Sequence, residues 1–273
     1  MSVIIFPYIA AEEDDFAVLY KPPDMHCAPQ ETQRTYVHNA QRPHVHNAQN
    51  SETLLDWFAL RCPQVSSVKG KRAGEGGLVH RLDFHTQGLV LFAKNQKFFD
   101  LIQGEQNQGS FIKEYRALCL KETVLLPGFP PAPPITAAPC AIESCFRSFG
   151  QGRKAVRPVA DTGYSFRPVA SDRGQFYRTE ITAMHQAPPA EAGGRAVYSL
   201  AIRIKRGFRH QIRCHLAWMG FPILNDPLYG IPPKAAETAP DAHLALCSCA
   251  LTFIGSDLHT RNCCIPCREL ENQ

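Results

Sequence analysis

The sequence predicts a mixed α/β or α+β fold, on three observations. Short apolar runs of strand length are interleaved with stretches whose apolar residues recur at helical spacing. The 273 residues are 44% apolar, enough to bury an ordinary core and too many for wholesale disorder. No apolar run approaches the roughly eighteen residues needed to span a bilayer. The start, Met1 to Ile9, is apolar but lacks a basic flank and a cleavage site, so it is read as a strand rather than a leader. A cytoplasmic protein with reduced thiols is the expectation that follows.

Taken in order, Val3 to Ile9 and Phe16 to Tyr20 read as strands joined by an acidic turn, Glu12 to Asp15. Lys21-Pro22-Pro23 then stops extended pairing, because proline cannot donate to a ladder. Residues 30–50 form a polar insertion in which Val37-His38-Asn39-Ala40-Gln41 recurs as Val45-His46-Asn47-Ala48-Gln49. His26, His38, His44 and His46 fit no ligand spacing there, so a surface loop is expected. Ser51 is placed to cap a helix carrying Leu54, Leu55 and Phe58, which Cys62-Pro63 ends. Gly74, Gly76 and Gly77 break regular structure, and Leu89 to Ala93 reads as a buried strand. Asn95 caps a helix over Gln96 to Gly104, with Phe98, Leu101 and Ile102 on its buried side. From Phe111 to Leu120 the residues alternate, which puts Phe111, Lys113, Tyr115, Ala117 and Cys119 on one face of a strand. Residues 126–139 hold six prolines and read as an irregular excursion. Phe176 to Met184 and Val197 to Lys205 are the next strands. Ile212, Leu216 and Met219 make a helical stripe that Gly220 ends, and His243 to Ile254 is the last strand.

Charge is uneven along this chain. The net charge is +4, but Arg147 to Arg213 holds thirteen Lys or Arg against four Asp or Glu, while the remainder holds sixteen against twenty-one. Within the basic part, Phe146-Arg147-Ser148-Phe149-Gly150 leads into Arg153-Lys154-Ala155-Val156-Arg157. A basic, glycine-broken segment with interleaved aromatics suits a hairpin that contacts phosphates.

The densest polar cluster lies between the glycine breaks and the strand at Leu89. It reads His80-Arg81-Leu82-Asp83, then Thr86, then Gly88-Leu89-Val90-Leu91-Phe92-Ala93-Lys94. Polar groups packed beside a core strand are hydrogen-bonded or functional, since unpaired burial costs about 1–3 kcal/mol each. These residues resemble the active-site motif of the RluA family of RNA pseudouridine synthases, although the family commonly has serine where Gln87 stands. Three more stretches are similar to the family's motifs, in the family's order. They are Asp14-Asp15-Phe16 to Lys21-Pro22, Lys113-Glu114-Tyr115-Arg116-Ala117, and Gly207-Phe208-Arg209-His210-Gln211-Ile212-Arg213 continuing to Asp226-Pro227-Leu228-Tyr229-Gly230. Tyr115 follows Asp83 by thirty-two residues, a separation the family also shows. Where the family usually reads Arg-Thr after the glycine, this chain has Phe208-Arg209 after Gly207, so the first arginine's role passes to Arg209. Cys247 stands where relatives commonly have histidine.

The resemblance implies the pseudouridine synthase fold, a single α/β domain of the α+β type over residues 1–273, with a mixed, largely antiparallel central sheet, flanking helices and an active-site cleft. It also implies isomerisation of specific uridines in rRNA or tRNA. Asp83 is then the nucleophile, Tyr115 stacks on the target base, and Arg213 keeps Asp83 ionised, with Asp83 as the anion that a buried Arg213 requires. Arg81 fills the gap left by a flipped base or holds phosphate, and Arg153, Lys154, Arg157, Arg209 and His210 contact RNA. No cofactor and no metal is expected, because the reaction oxidises nothing and its leaving group stays bound. The first motif arrives within the first twenty residues, so no small RNA-binding domain is expected ahead of it, and a monomer is expected. Two other readings compete. One is a non-catalytic RNA-binding relative whose site has decayed at Gln87 and Phe208-Arg209. The other is a metal or redox protein built on Cys247, Cys249, Cys263, Cys264 and Cys267, against which Cys247 to Leu251 alternates as a core strand.

Overall fold

The computed structural model describes residues 6–29, 53–122, 125–133, 137–159, 174–186, 196–230 and 242–266. The repeat in the 30–50 insertion, the cap expected at Ser51, part of the 126–139 excursion and Cys267 lie outside the described residues. The strands are β1 (Tyr8–Glu12), β2 (Phe16–Lys21), β3 (Gln87–Ala93), β4 (Ile112–Leu120) and β5 (Cys140–Phe149). They continue as β6 (Ala155–Val159), β7 (Tyr177–Gln186), β8 (Val197–Ile204), β9 (Leu246–Ile254) and β10 (Thr260–Cys264). The α-helices are α1 (Leu54–Ala59), α2 (Gln96–Gln108) and α3 (Gln211–Trp218). None of the described helices is long and apolar enough to cross a membrane. The expected fold class holds: a mixed α/β chain whose strand pairs are largely antiparallel.

The chain packs as two compact units, Met1–Phe111 with Ser248–Pro266 and Ile112–Cys247 with Cys267–Gln273, so β9 begins in one and continues in the other. In the first unit β1, β2 and β3 form an antiparallel meander, β9 lies beside β3, and β10 pairs antiparallel with β9. All residues of β2 and β3 are buried, the burial expected of strands covered on both faces. Phe16, Leu89, Leu91, Phe98, Ile102 and Phe253 make the core there. Gly88 opens this contact: its φ is +117°, and a Cβ would collide with the backbone of Ser248. Only glycine combines that conformation with so close an approach.

The expected caps are partly confirmed. Asn95 caps α2, its Oδ1 accepting from the Phe98 N–H at 2.9 Å, and the helix runs on to Gly109, which ends it at φ 77°. The side chain that caps α1 is that of Thr53, which accepts from the Asp56 N–H at 3.2 Å. Val3 to Ile5 of the first expected strand lie outside the described residues; β1 runs Tyr8–Glu12 and pairs with β2 across the acidic turn, with a register shift between Ile9 and Ala11.

In the second unit β4 pairs with β8, β8 with β7, β7 with β5 and β5 with β6, all antiparallel. The expected alternation of β4 is present: Lys113, Tyr115, Ala117 and Cys119 are buried and their neighbours are more exposed. Every residue of α3 is buried. Its Cys214 and Ala217 join Phe146, Val156, Tyr177 and Tyr229 in a core of largely aromatic rings.

Candidate functional site

The first unit carries Asp83 on a braced turn. Leu82, just before it, is held on both sides by one thiol: its N–H donates to Cys27 Sγ at 3.3 Å, and Cys27 donates to its carbonyl at 3.5 Å. The Asp83 carbonyl accepts from the Thr86 N–H at 3.1 Å, closing a four-residue turn with Phe84 and His85 at its tip. Beneath lies Lys21, fully buried. Its ammonium donates to the carbonyls of Pro22 at 2.8 Å, Met25 at 2.8 Å and Phe84 at 3.0 Å. Burial pulls its pKa down to about 8, against the pull of Cys27, Asp83 and Asp24, which favour the charged form. The strand-ending lysine noticed in the sequence is therefore the brace of the Asp83 turn, a role its position in the chain did not reveal.

His80 turns inward. Its Nε2 accepts from the Leu91 N–H at 3.1 Å, and its ring meets Phe111 edge-on at 5.4 Å. Arg81 points outward, half-exposed, with Glu75 Oε1 3.0 Å from its Nη1. Gln87, which stands in the place of the family's serine, is buried and accepts from the Tyr20 hydroxyl at 2.7 Å. Its Nε2 and the Thr86 hydroxyl have no hydrogen-bond partner among the described residues.

The second unit carries Tyr115 and Arg213. Tyr115 sits in mid β4, opposite Ile202 of β8, and is 6% exposed. Arg213 lies on α3 at 2% exposure. Its Nε and Nη2 donate to the two carboxylate oxygens of Asp226 at 2.8 and 2.7 Å. Asp226 Oδ1 is itself fixed by the N–H groups of Leu228 at 2.9 Å and Tyr229 at 3.0 Å. Asp226, part of a motif quoted in the sequence without a role of its own, is thus one anion that answers the buried Arg213 charge. A fork of two N–H donors on one carboxylate fixes the plane as well as the place of a guanidinium.

Around this pair the helix start is shaped by unusual residues. His210 occupies the cap position of α3 at φ 57°, and its Nδ1 lies 3.1 Å from the Tyr229 hydroxyl. That hydroxyl also accepts from the Val156 N–H at 2.9 Å, and burial raises its pKa. Phe208, where the family has arginine, stacks on Phe146 with ring centres 4.8 Å apart and planes 4° from parallel. His215, fully buried, sits 2.8 Å from the Thr179 hydroxyl and 2.9 Å from that of Ser144. Burial holds it neutral, with a pKa of about 3.

The basic segment forms the β5–β6 hairpin, but its cations part company. Arg153 and Lys154 are exposed at the tip. Arg209 is exposed too, and its Nη2 donates to the carbonyls of Arg153 at 2.8 Å and Ala155 at 3.3 Å. Arg157, grouped with them in the sequence, is 4% exposed. Its guanidinium donates to the Pro127 and Val156 carbonyls and lies over the rings of Phe129 and Phe149 at 4.5 and 4.3 Å. Arg157 is buried within β6 together with Val156 and Pro158, and carbonyls and π faces answer its charge.

Among the described residues no group of His, Cys, Asp and Glu is arranged to hold a metal, and no disulfide joins the ten described cysteines. Cys263 and Cys264 lie opposite Leu251 and Ala250 in the β9–β10 pair.

Comparison with known proteins adds relatives to this geometry. The chain is 25% identical over 190 residues to "Ribosomal large subunit pseudouridine synthase D" of Pseudomonas aeruginosa, covering 68% of this chain and 48% of that protein. The protein so named in Escherichia coli K12 is 24% identical over 238 residues, covering 87% and 56%. The chain thus spans about half the length of these curated relatives. Among solved structures, human RNA Pseudouridylate Synthase Domain Containing 1 superposes with a TM-score of 0.62 at 19% identity, covering 95% of this chain and 83% of that one. Human RNA Pseudouridylate Synthase Domain Containing 4 gives 0.57 at 17%, covering 94% and 87%. Both show a shared fold. The profile of the RNA pseudouridylate synthase family matches residues 15–218, a span that includes Asp83, Tyr115 and Arg213. The chain belongs to the RNA pseudouridylate synthase family and is an RluA-type member of it.

Proposed function

We propose that this chain isomerises uridine in RNA to pseudouridine, and that one catalytic domain of both packing units does so as a cytoplasmic monomer. The observation that carries the reading is the family match across residues 15–218, which takes in the braced Asp83 turn and the fork-held Arg213. In the reaction the bond from C1′ to N1 breaks, the base turns, and C1′ bonds to C5. The proton on C5 leaves and N1 gains one, so atoms balance without an oxidant or reductant. Asp83 acts as the nucleophile or charge-stabilising carboxylate at the anomeric carbon. Arg213 keeps that carboxylate ionised through its positive charge. Tyr115 stacks on the target base, which has to leave its helix to react. Arg153, Lys154 and Arg209 supply phosphate contacts at the hairpin tip, and Arg81 and His210 contact the strand nearer the reacting nucleotide. Ribosomal RNA is favoured over tRNA as substrate, because the curated relatives are named for the large ribosomal subunit.

The competing reading is a binding protein with a decayed site. Its strongest support, Gln87 in place of serine, is weakened by the hydrogen bond Gln87 makes with Tyr20, which accounts for the residue by packing. The test is release of tritium from RNA labelled at C5 of uridine, taken from cells that lack this protein. Release by the wild-type chain is expected. Saturable binding of that RNA with no release makes the chain a binding protein instead.

A further inference from the structure

Phe84 and His85 occupy the tip of the Asp83 turn, where a short polar residue is the usual solution. Here the Phe84 ring is 37% exposed. It packs on His26 with ring centres 4.6 Å apart and on His85 at 5.0 Å. His85 is held in turn by Asp24, whose Oδ1 lies 2.6 Å from its Nδ1. Below, the Phe84 carbonyl is pinned by the buried Lys21 ammonium at 3.0 Å. An apolar ring at a turn tip is thus kept in place from two sides rather than allowed to fold inward. His26 is held towards its neutral form, by burial first and then by the charges of Lys21, Arg81 and His85. A neutral ring behind Phe84 leaves a flat, uncharged π surface. Three residues back in the chain, the half-exposed guanidinium of Arg81 is near enough to His26 for its charge to disfavour protonation of that ring.

We infer that Phe84, backed by His26 and His85, is a stacking platform for an unpaired RNA base next to the uridine on which Asp83 acts. A single aromatic face edged by a cation matches a nucleotide, with base on ring and phosphate on guanidinium. The patch is one ring wide and bordered by the Asp24–His85 pair, which makes it small and polar-edged for an apolar protein surface. This inference rests on the reading of the chain as an RNA enzyme. It adds a contact, from a pair of residues in the first unit, that the hairpin cations do not provide.

The test uses the full chain with substitutions at Phe84 and a single-stranded RNA of mixed sequence at low salt. Phe84→Trp places an emitter at the platform, while the chain's own tryptophans, Trp57 and Trp218, are each 5% exposed. Its emission should be quenched as RNA binds, following the same curve as fluorescence anisotropy of labelled RNA. The same sequence as a duplex should quench less at equal occupancy. Phe84→Ala should weaken single-strand binding about tenfold or more, with Phe84→Leu between it and wild type and Phe84→Tyr close to wild type. Thermal unfolding of each variant separates lost stacking from lost folding. Unquenched emission from Phe84→Trp on saturated RNA, or binding by folded Phe84→Ala within about twofold of wild type, overturns the inference. Because quenching needs no turnover, a wild-type chain that binds but releases no tritium defeats the proposed reaction and leaves the platform standing. The opposite pattern, turnover unaffected by Phe84→Ala, defeats the platform alone.

Discussion

An arginine at 2% exposure has to have its charge answered, and in Arg213 both the need and the answer can be followed. The need was legible in the sequence, because the residue falls inside an apolar helical stripe. The part played by Asp226 was not, because a carboxylate thirteen residues later is brought back by a turn whose backbone N–H groups grip it. Asp226 therefore ties α3 to the turn at 226–230, and the Tyr229 hydroxyl from that turn meets Val156 and His210. Removing one partner of such a pair leaves a buried charge exposed to no solvent. Asp226→Ala should lower the unfolding free energy by about 3–5 kcal/mol, measured by urea titration followed by fluorescence. A loss below about 1 kcal/mol is the behaviour of an exposed pair and contradicts the assignment. Lys21 teaches the complementary lesson. Its lysine-proline signature is visible in the chain, but only the fold brings its ammonium under the Phe84 carbonyl.

At the scale of elements, strands with clean alternation were readable and strands with mixed content were not. In β4 the expected face and the buried face coincide residue by residue from Lys113 to Cys119. β6 escaped notice as a strand because Gly150 and Gly152 precede it and Pro158 interrupts it. The proline is tolerated because β6 ends the sheet order and needs no donor on its outer side. The basic residues of the hairpin fall into two groups, Arg153 and Lys154 exposed at the tip and Arg157 buried in β6, which makes a prediction. Arg153→Ala and Lys154→Ala should leave thermal stability near that of wild type and weaken RNA binding, lowering the salt slope by up to about one for each lost phosphate contact. Arg157→Ala should instead lower the melting temperature, since it strips the cation from the Phe129 and Phe149 rings and the donor from the Pro127 carbonyl. If Arg157→Ala melts like wild type and binds RNA as weakly as Arg153→Ala, the inward placement of Arg157 is contradicted.

For the whole molecule, four motifs in family order carried more information than composition or periodicity, which went no further than a mixed fold class. Motif order is legible because each motif is local: a turn, a strand tyrosine, a helix start. What the sequence left open is what distance in the chain conceals, such as Cys27 clamping Leu82 or His26 backing Phe84. The basic excess between Arg147 and Arg213 belongs to the second unit, and Asp83, the proposed nucleophile, to the first. Affinity and chemistry are thereby assigned to different residues, and one substitution can part them. Asp83→Asn keeps the side chain's volume and removes its negative charge and nucleophile. Phosphate contacts supply most of the affinity, so the variant should bind RNA at least as well as wild type and with a similar salt dependence. Its release of tritium from uridine labelled at C5 should fall to background. Measured together on one RNA, retained binding with abolished release is the result this account predicts. Continued release by Asp83→Asn would contradict it.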